Sequence, residues 1–174
     1  MKPEALTSLL EQVRLGTLDV ATAGNTLADA MRQAPFEDLG FARVDHHRAI
    51  RQGFPEVVFG QGKTPAQIAT IAARIVGAGQ TLLVTRTDET AYAAVRQEID
   101  SAKFYPEARV ITHTTDSEPT RVGTILVVSG GTADHAVAEE AVVTAHVMGN
   151  HVERLYDVGV AGLHRLLAER RRLE

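Results

Sequence analysis

The stretch Val122–Met148 constrains the fold more than any other part of this 174-residue chain. Within it, Thr124–Val128 is a short, β-branched apolar run that precedes the pair Gly130-Gly131. Such a run predicts a strand that is buried on both faces, and we expect it to be the central strand of a sheet. After the glycines the spacing of Ala, Val and Met predicts a helix, with Thr132 as its N-cap. The sequence therefore predicts a strand, a glycine turn and a helix in direct succession.

The turn between this strand and this helix offers groups that suit an anion. A helix start presents unpaired backbone N–H groups and the positive end of the helix dipole. Gly130 and Gly131 would let a ligand approach the backbone, and Ser129 and Thr132 add hydroxyl groups. Asp134 could accept hydrogen bonds from a sugar. The segment could bind a phosphate-bearing small molecule, but the motif alone favours the alternative, an ordinary strand-to-helix turn.

Composition narrows the class of protein. Hydrophobic residues make up 44% and charged residues 23% of the chain, as in soluble globular proteins. A net charge of −4 gives no electrostatic argument for a nucleic-acid partner. No apolar run reaches membrane-spanning length and the N-terminus lacks the apolar core of a signal peptide, so we expect a cytoplasmic protein. The chain has no cysteine, which excludes a thiol nucleophile and cysteine-based metal sites within it.

The N-terminal residues predict a helical hairpin. Pro3–Leu15 and Asp19–Gln33 carry apolar residues at helical spacing, and Asp19 is the expected N-cap of the second helix. Two short helices are seldom stable alone. We therefore expect the hairpin to dock on the rest of the chain or on another subunit.

The following segment combines strand patterns with many charges. Short strands are predicted at Ala42–Asp45 and Glu56–Phe59. Arg48 and Arg51 could bind a carboxylate or a phosphate, and surface ion pairs are the alternative.

Neither of the two motif-like features in this segment predicts a metal or P-loop site. The sequence Gly62-Lys63-Thr64 resembles the end of a P-loop, but the first glycine of that motif is absent, so Lys63 stays a single cation that could bind phosphate. His46 and His47 are adjacent and would face opposite sides of a strand, so no metal site is predicted.

Helices and strands alternate in the rest of the chain, which predicts an α/β fold with a mostly parallel sheet. The expected elements are a helix that begins at Pro65 with Thr64 as N-cap and ends at Gly77, a strand at Thr81–Thr85, a helix over Asp88–Ile99, a strand at Arg109–His113, a linker over Thr114–Arg121, a strand at His151–Tyr156 and a helix over Val158–Arg172.

This alternation also predicts where a ligand binds. The carboxyl ends of neighbouring parallel strands meet at one edge of a sheet, so Ser129–Asp134 and Asp157–Arg165 should face one space. Asp157 and His164 are then candidate site residues. The alternative for His164 is an exposed position on a helix.

Four segments that lie in order between Phe36 and Leu167 carry a family resemblance. They read FEDLGFARVDHHRAIRQGFPEVVFGQGKTP, LLVTR, ILVVSGGTADHAVAEEA and MGNHVERLYDVGVAGLHRLL. Together they resemble the LarB family of nickel-pincer nucleotide (lactate racemase cofactor) biosynthesis proteins, which is related to phosphoribosylaminoimidazole carboxylase, PurE. Within them, SGGTAD resembles the phosphate loop of the PurE fold, and AGLHR takes the place of its Ser-Ala-His-Arg loop.

The resemblance implies an α/β fold in three parts. These are a helical hairpin over residues 1–35, a small α/β region over 36–121, and the first half of a PurE-like parallel-sheet domain over 122–174, of flavodoxin- or Rossmann-like type. Full-length family members form octamers, so a homo-oligomer is expected. Family members also continue for several dozen residues and carry a cysteine that attacks the substrate ring. We therefore expect a shortened form that binds nucleotide and is inactive alone.

The resemblance implies a carboxylase and hydrolase of nicotinic acid adenine dinucleotide. Carbon dioxide or bicarbonate would be the co-substrate added to the pyridinium ring, and cleavage of the phosphoanhydride would release AMP and pyridinium-3,5-biscarboxylic acid mononucleotide. No covalently bound cofactor is expected, and assistance by Mg²⁺ stays open. Two alternatives remain: a non-catalytic nucleotide-binding or regulatory module, and a PurE-like aminoimidazole ribonucleotide carboxylase or mutase.

The same resemblance assigns roles to residues. Asp157 and His164 would line the reacting ring, while Lys63 and Arg86 would reach the substrate from the N-terminal part. The nucleotide would be bound by Ser129, Gly130, Gly131, Thr132 and Asp134.

Overall fold

The structure, a computed structural model, describes residues 3–32, 36–114 and 123–173. Its contacts divide the chain into two units, residues 1–56 and 57–174. The predicted three-part division, with boundaries after residues 35 and 121, stays a prediction, since residue 35 and residues 121–122 lie outside the described ranges. Apart from Thr114, the predicted linker also lies outside them.

The first unit contains the predicted helices and a small hairpin. Its elements are α1 (Pro3–Arg14), α2 (Val20–Arg32), β1 (Phe36–Asp38), β2 (Arg43–Asp45) and α3 (Arg48–Gln52). Asp19 caps α2 as predicted, because its Oδ1 accepts a hydrogen bond from the Thr22 N–H at 2.9 Å. Strands β1 and β2 pair antiparallel, and Val44 of β2 is almost fully buried. Arg51 forms an ion pair with Asp45, with 2.5 Å between Nη2 and Oδ2.

The second unit begins with the predicted alternation of strands and helices. Its elements are β3 (Val57–Phe59), α4 (Pro65–Gly77), β4 (Leu82–Thr85), α5 (Glu89–Glu98), β5 (Lys103–Tyr105), β6 (Val110–His113), β7 (Thr124–Val128), α6 (His135–Val147), β8 (His151–Leu155), α7 (Leu163–Ala168) and α8 (Arg170–Leu173). The mixed α/β fold class that the sequence predicts is confirmed.

Capping residues explain where the helices of this unit begin. Thr64 and Gln67 form a reciprocal capping box, in which each side chain accepts a hydrogen bond from the other residue's backbone N–H. Pro65 occupies the first helical position, where a missing N–H costs nothing. Asp88 caps α5 by accepting from the Ala91 N–H at 2.9 Å. The predicted N-cap of α4 is confirmed.

The larger sheet is mixed, which corrects the prediction of a mostly parallel one. Its strand order is β3-β4-β6-β5, and only β3 and β4 run parallel. The sequence pattern overlooked β5, which forms a hairpin with β6 and pairs Phe104 with Ile111. Because the chain reverses in this hairpin, β6 returns antiparallel to β4.

The core of the second unit surrounds β4. Leu82, Leu83 and Val84 have no exposed surface, and Ile75 of α4 and Val95 of α5 are also fully buried. Burial of each large aliphatic side chain contributes about 1.5–3 kcal/mol to folding. Helix α4 contacts β3, β4 and α5, while α6 contacts β4 and β6, so the C-terminal part of this unit packs on the same sheet.

The strand that we expected to be central is not. Strand β7 pairs in parallel with β8, from Thr124 opposite His151 to Val128 opposite Leu155, and among the described residues it has no other partner. Ile125 is 40% and Val128 47% exposed, so the predicted burial on both faces is wrong. An apolar, β-branched composition predicts a strand but does not report how many neighbours cover it.

The helix after the glycine turn begins later than predicted. Thr132–Asp134 form a 3₁₀ turn, and α6 starts at His135, so Thr132 is not its N-cap. The predicted C-terminal helix is also broken into a 3₁₀ turn at Val160–Gly162 and the short helices α7 and α8. None of the described helices is both long and apolar enough to span a membrane.

Candidate functional site

The loops that follow β7 and β8 stay hydrogen-bonded beyond the strands. The Ser129 N–H donates to the Leu155 carbonyl at 3.0 Å, and the Val158 N–H donates to the Ser129 carbonyl at 3.1 Å. The Gly159 N–H then donates to the Gly130 carbonyl at 2.8 Å. These bonds fix the two loops beside each other at the carboxyl ends of parallel strands, where ligands bind in open α/β sheets.

Gly159 is required by this close approach. A Cβ atom at residue 159 would lie 2.6 Å from the Gly130 carbonyl oxygen, which belongs to the backbone and cannot rotate away. Gly131 differs, because a Cβ atom there would meet nothing within 4 Å and its φ of −149° is extended. Glycine is therefore needed at position 159, because that residue packs against the Gly130 backbone, and not at position 131.

A cavity of about 330 Å³ opens between these two loops. It is lined by Ser129, Gly131, Thr132, His135, Tyr156 and Asp157. Four of the nine residues that the sequence singled out are thus brought together, from both predicted loops. The cavity lies at the lower end of the range of about 300–1,000 Å³ that small-molecule sites occupy.

Ser129, one of the residues that line this cavity, carries a buried hydroxyl group. Only 8% of the residue is exposed, and its Oγ has no hydrogen-bond partner among the described residues. Leaving such a group unpaired costs about 1–3 kcal/mol. A bound ligand with a hydrogen-bonding group at this position would remove that cost.

Asp134 has a structural bond in addition to its predicted role. Its Oδ2 accepts a hydrogen bond from the Gly131 N–H at 3.0 Å, which closes the glycine turn. The same oxygen would lie 3.3 Å from a Cβ atom at Gly130. The Asp134 carboxylate therefore stabilises the conformation of the glycine turn.

Asp157 occupies an unusual backbone conformation at the mouth of the cavity. Its φ is +59°, in the left-handed region that Asp and Asn tolerate better than most residues. Its Oδ2 pairs with Arg165 Nη1 at 2.5 Å. Arg165 in turn packs on Gly162, where a Cβ atom would lie 2.7 Å from its Nε. The carboxylate is thus held against the loop that follows β8.

Tyr156 forms one wall of the cavity and is anchored from behind. Its hydroxyl donates a hydrogen bond to Glu139 Oε1 at 2.7 Å, and Arg154 Nε donates to the same oxygen at 2.9 Å. The hydrogen bond from Arg154 holds the pKa of the Glu139 carboxyl below its ordinary value. Burial acts against this lowering of the pKa, and the hydrogen bond from Tyr156 adds to it. Burial and the neighbouring carboxylate raise the pKa of Tyr156 to about 12, so its hydroxyl stays protonated.

His135 forms the adjoining wall. Its ring meets the Tyr156 ring edge to face, with 5.4 Å between centroids and 89° between planes. Its Nε2 lies 3.2 Å from Glu107 Oε2. Sequence reasoning did not single out His135, Tyr156, Glu139 or Arg154. The available signal was the two-residue spacing of Arg154 and Tyr156, which places both side chains on the same side of an extended chain.

The other predicted residues do not line this cavity. His164 is exposed on α7. Arg86 binds Glu140 of α6, with 2.6 Å between Nε and Oε2, and Lys63 Nζ donates to the Phe59 carbonyl at 2.8 Å. Their roles at a bound nucleotide stay predictions.

A second, larger cavity lies elsewhere in this unit. It measures about 640 Å³ and is lined by Pro65, Ala66, Ala69, Thr70, Ala73, Arg74, Ala94, Gln97 and Glu98. This groove between α4 and α5 consists mainly of alanines and helix-surface polar groups. Its size exceeds that of the first cavity, but it gathers none of the predicted site residues. The described residues also contain no cluster of three or more metal-ligating side chains.

Comparison with known proteins identifies a domain in the middle of the chain. The sequence model of the LarB/PurE-like N-terminal domain matches residues 36–115. An uncharacterized protein from Methanocaldococcus jannaschii is 30% identical over 137 residues, which cover 75% of this chain and 54% of that protein. The chain therefore spans about half the length of this relative. The match to the domain confirms the predicted resemblance, and the α/β architecture agrees with it.

Proposed function

Residues 36–115 match the LarB/PurE-like N-terminal domain, and from this premise we propose that the chain binds nicotinic acid adenine dinucleotide as part of a carboxylase and hydrolase. The reaction would join carbon dioxide, free or from bicarbonate, to a carbon of the pyridinium ring with loss of that carbon's proton, and water would cleave the phosphoanhydride to release AMP. The substrate combines two rings and two sugars with two phosphates, so it needs a cavity, hydroxyl donors and backbone N–H groups.

One observation carries the proposal: the cavity between the β7 and β8 loops is lined by Ser129, whose buried hydroxyl has no hydrogen-bond partner among the described residues. Ser129 Oγ can donate to a phosphate or ribose oxygen without giving up an existing bond. Thr132 adds a second hydroxyl beside it, in the 3₁₀ turn that leads into α6. The positive end of the α6 dipole favours a negative group at this turn.

We assign the remaining roles by their chemistry. Gly130 and Gly131 leave room for the nucleotide backbone, and Asp134 has one carboxylate oxygen beyond the one that binds the Gly131 N–H. Asp157 would face the ring-bearing half of the substrate. For His164 the resemblance alone supports a role.

The two cationic residues would act as counter-charges through donors that their present contacts leave over. Arg86 binds Glu140 through Nε, and Lys63 keeps two ammonium protons beyond the one that the Phe59 carbonyl accepts. Assistance by Mg²⁺ is a further route to charge compensation. Since the chain has no cysteine, a thiol that attacks the ring would have to come from outside these 174 residues.

The test is isothermal titration of the purified chain with nicotinic acid adenine dinucleotide, while AMP release is followed on the same sample. AMP and an aminoimidazole ribonucleotide serve as comparison ligands. We expect the dinucleotide to bind, and the Ser129→Ala variant to bind it about tenfold more weakly, in line with the loss of one hydrogen bond to a charged group. Ser101→Ala, at an exposed serine that contacts His113, is the matched control.

The outcomes separate the alternatives. Binding with AMP release supports an enzyme, and binding without release supports a nucleotide-binding module that supplies part of a site. Preferential binding of the aminoimidazole ribonucleotide would replace the dinucleotide by a PurE-like substrate. A folded sample that binds none of these ligands would refute the proposal.

A further inference from the structure

Two aromatic rings of the cavity meet at a right angle, and one of them is backed by a buried carboxylate. Tyr156 presents its ring to the cavity while its hydroxyl donates to Glu139, whose side chain is only 12% exposed. His135 closes the corner, with its ring 5.4 Å from that of Tyr156. A flat ligand ring that stacks on one wall would meet the other edge-on, which is a favoured aromatic arrangement.

The charged side chains around this corner do not repel a cationic ring. The cavity lining includes one carboxylate, Asp157, but no lysine or arginine among the described residues. The two guanidinium groups nearest in the chain are already bound to carboxylates, Arg154 to Glu139 and Arg165 to Asp157. No free positive side chain of the described lining would therefore repel a positive ring.

The aromatic ring of Tyr156 itself favours a cationic ligand ring. The face of an aromatic ring carries negative charge and attracts a cation placed over it. A tyrosine hydroxyl that donates to a carboxylate has its oxygen enriched in electron density, which strengthens the effect. The side chain is also fixed, because its hydroxyl is tied to Glu139 and its ring to His135.

We infer that Tyr156 is a specificity-determining residue that selects a positively charged heteroaromatic ring, the oxidised pyridinium form of the dinucleotide, over the neutral dihydropyridine form. This inference rests on the proposed function, since it assigns the ring-bearing half of the same substrate to the Tyr156–His135 corner. The phosphates and the sugar would then lie toward Ser129 and Thr132 on the other side of the cavity.

The test compares two ligands that differ mainly in ring charge. Nicotinic acid adenine dinucleotide and its 1,4-dihydro form carry the same phosphates and sugars. Titrated into the wild-type chain, the oxidised form should bind about tenfold more tightly, the size expected for a desolvated cation–π contact. The variant Tyr156→Leu should reduce this preference to less than about twofold, mainly by weakening the oxidised form.

A second variant separates the contribution of the Tyr156 ring from that of its hydroxyl. Tyr156→Phe keeps the aromatic face and should retain most of the preference, and thermal unfolding shows whether each variant is folded. Equal binding of both forms by the wild-type chain would overturn the inference and leave the proposed nucleotide site intact. If neither form binds, the proposed function itself fails.

Discussion

The hydroxyl of Tyr156 donates a 2.7 Å hydrogen bond to Glu139, which joins a wall of the cavity just after β8 to helix α6. Arg154, two residues earlier and on β8 itself, binds the same carboxylate at 2.9 Å. One half-buried carboxylate thus holds one side chain of β8 and one of the loop that follows it. The strand that follows α6 is thereby attached to the helix whose first turn borders the cavity.

This relationship predicts a contribution of Glu139 to acid stability. Since the folded-state pKa of Glu139 is lowered, its contribution is present above the ordinary glutamate pKa of about 4.3 and is lost as the pH falls through the folded-state value. Glu139→Gln should lower the free energy of unfolding at pH 7 by about 1–2 kcal/mol. The variant should also lose less stability than the wild type between pH 5 and pH 3.

Urea unfolding at several pH values measures both effects. Glu107→Gln is the control, because that side chain is 74% exposed and its contact with His135 should contribute less than about 1 kcal/mol at pH 7. Parallel stability curves for wild type and Glu139→Gln across the acid range would show that the carboxylate is not specifically stabilised.

Removal of either of two buried hydroxyls should change the stability of the free protein alike, but only one removal should weaken ligand binding. Ser129 Oγ and Thr87 Oγ1 are both unpaired among the described residues, and Thr87 is 4% exposed. Ser129→Ala and Thr87→Val should each raise the free energy of unfolding by up to about 1 kcal/mol, because an unsatisfied polar group is removed.

Only one of these hydroxyls lines the cavity. Calorimetry should therefore show weaker dinucleotide binding for Ser129→Ala and unchanged binding for Thr87→Val. Equal affinities for the two variants would contradict the assignment of Ser129 to the site.

The close approach of the two loops predicts that one glycine cannot be replaced by alanine without loss of stability, whereas another can. Gly159→Ala forces a Cβ atom to 2.6 Å from the Gly130 carbonyl oxygen and should lower the unfolding free energy by about 1–3 kcal/mol. Gly131→Ala meets nothing within 4 Å and should change it by less than about 0.5 kcal/mol. Chemical denaturation distinguishes them, and a Gly159→Ala variant as stable as Gly131→Ala would refute the described packing.

A similar contrast holds at the end of β3. A Cβ atom at Gly60 would lie 2.9 Å from the Thr85 carbonyl oxygen and 3.1 Å from that of Arg86, so Gly60→Ala should destabilise the second unit by about 1–3 kcal/mol. Gly77, the last residue of α4, has open space, and Gly77→Ala should stabilise by about 0.5 kcal/mol. Melting temperatures that move in the same direction would contradict this contrast.

Local signals in the sequence predicted most elements but not their pairing. The predicted caps at Asp19 and Thr64 located two helix starts, because each uses hydrogen bonds within one turn. The antiparallel β5–β6 hairpin was overlooked, since Lys103–Tyr105 is too short to show a periodic pattern. The exposure of β7 depends on neighbours that its own composition does not encode.

The candidate site, like the fold, was predictable from the sequence only in its local features. The glycine turn and Asp157 stand out as sequence features, and the parallel pairing of β7 and β8 brings them together. The network of Tyr156, Glu139 and Arg154 joins residues up to 17 positions apart, and only the packing of α6 on β8 brings them together.

The most direct test of the central claim is to map the bound dinucleotide by nuclear magnetic resonance of the ¹⁵N-labelled chain. Upon addition of nicotinic acid adenine dinucleotide, the amide signals of Gly130, Gly131, Thr132 and Asp157 should shift most. Those of the α4–α5 groove, such as Ala69 and Ala94, should stay in place. Shifts confined to that groove, or none in the β7 and β8 loops at saturating ligand, would contradict the account.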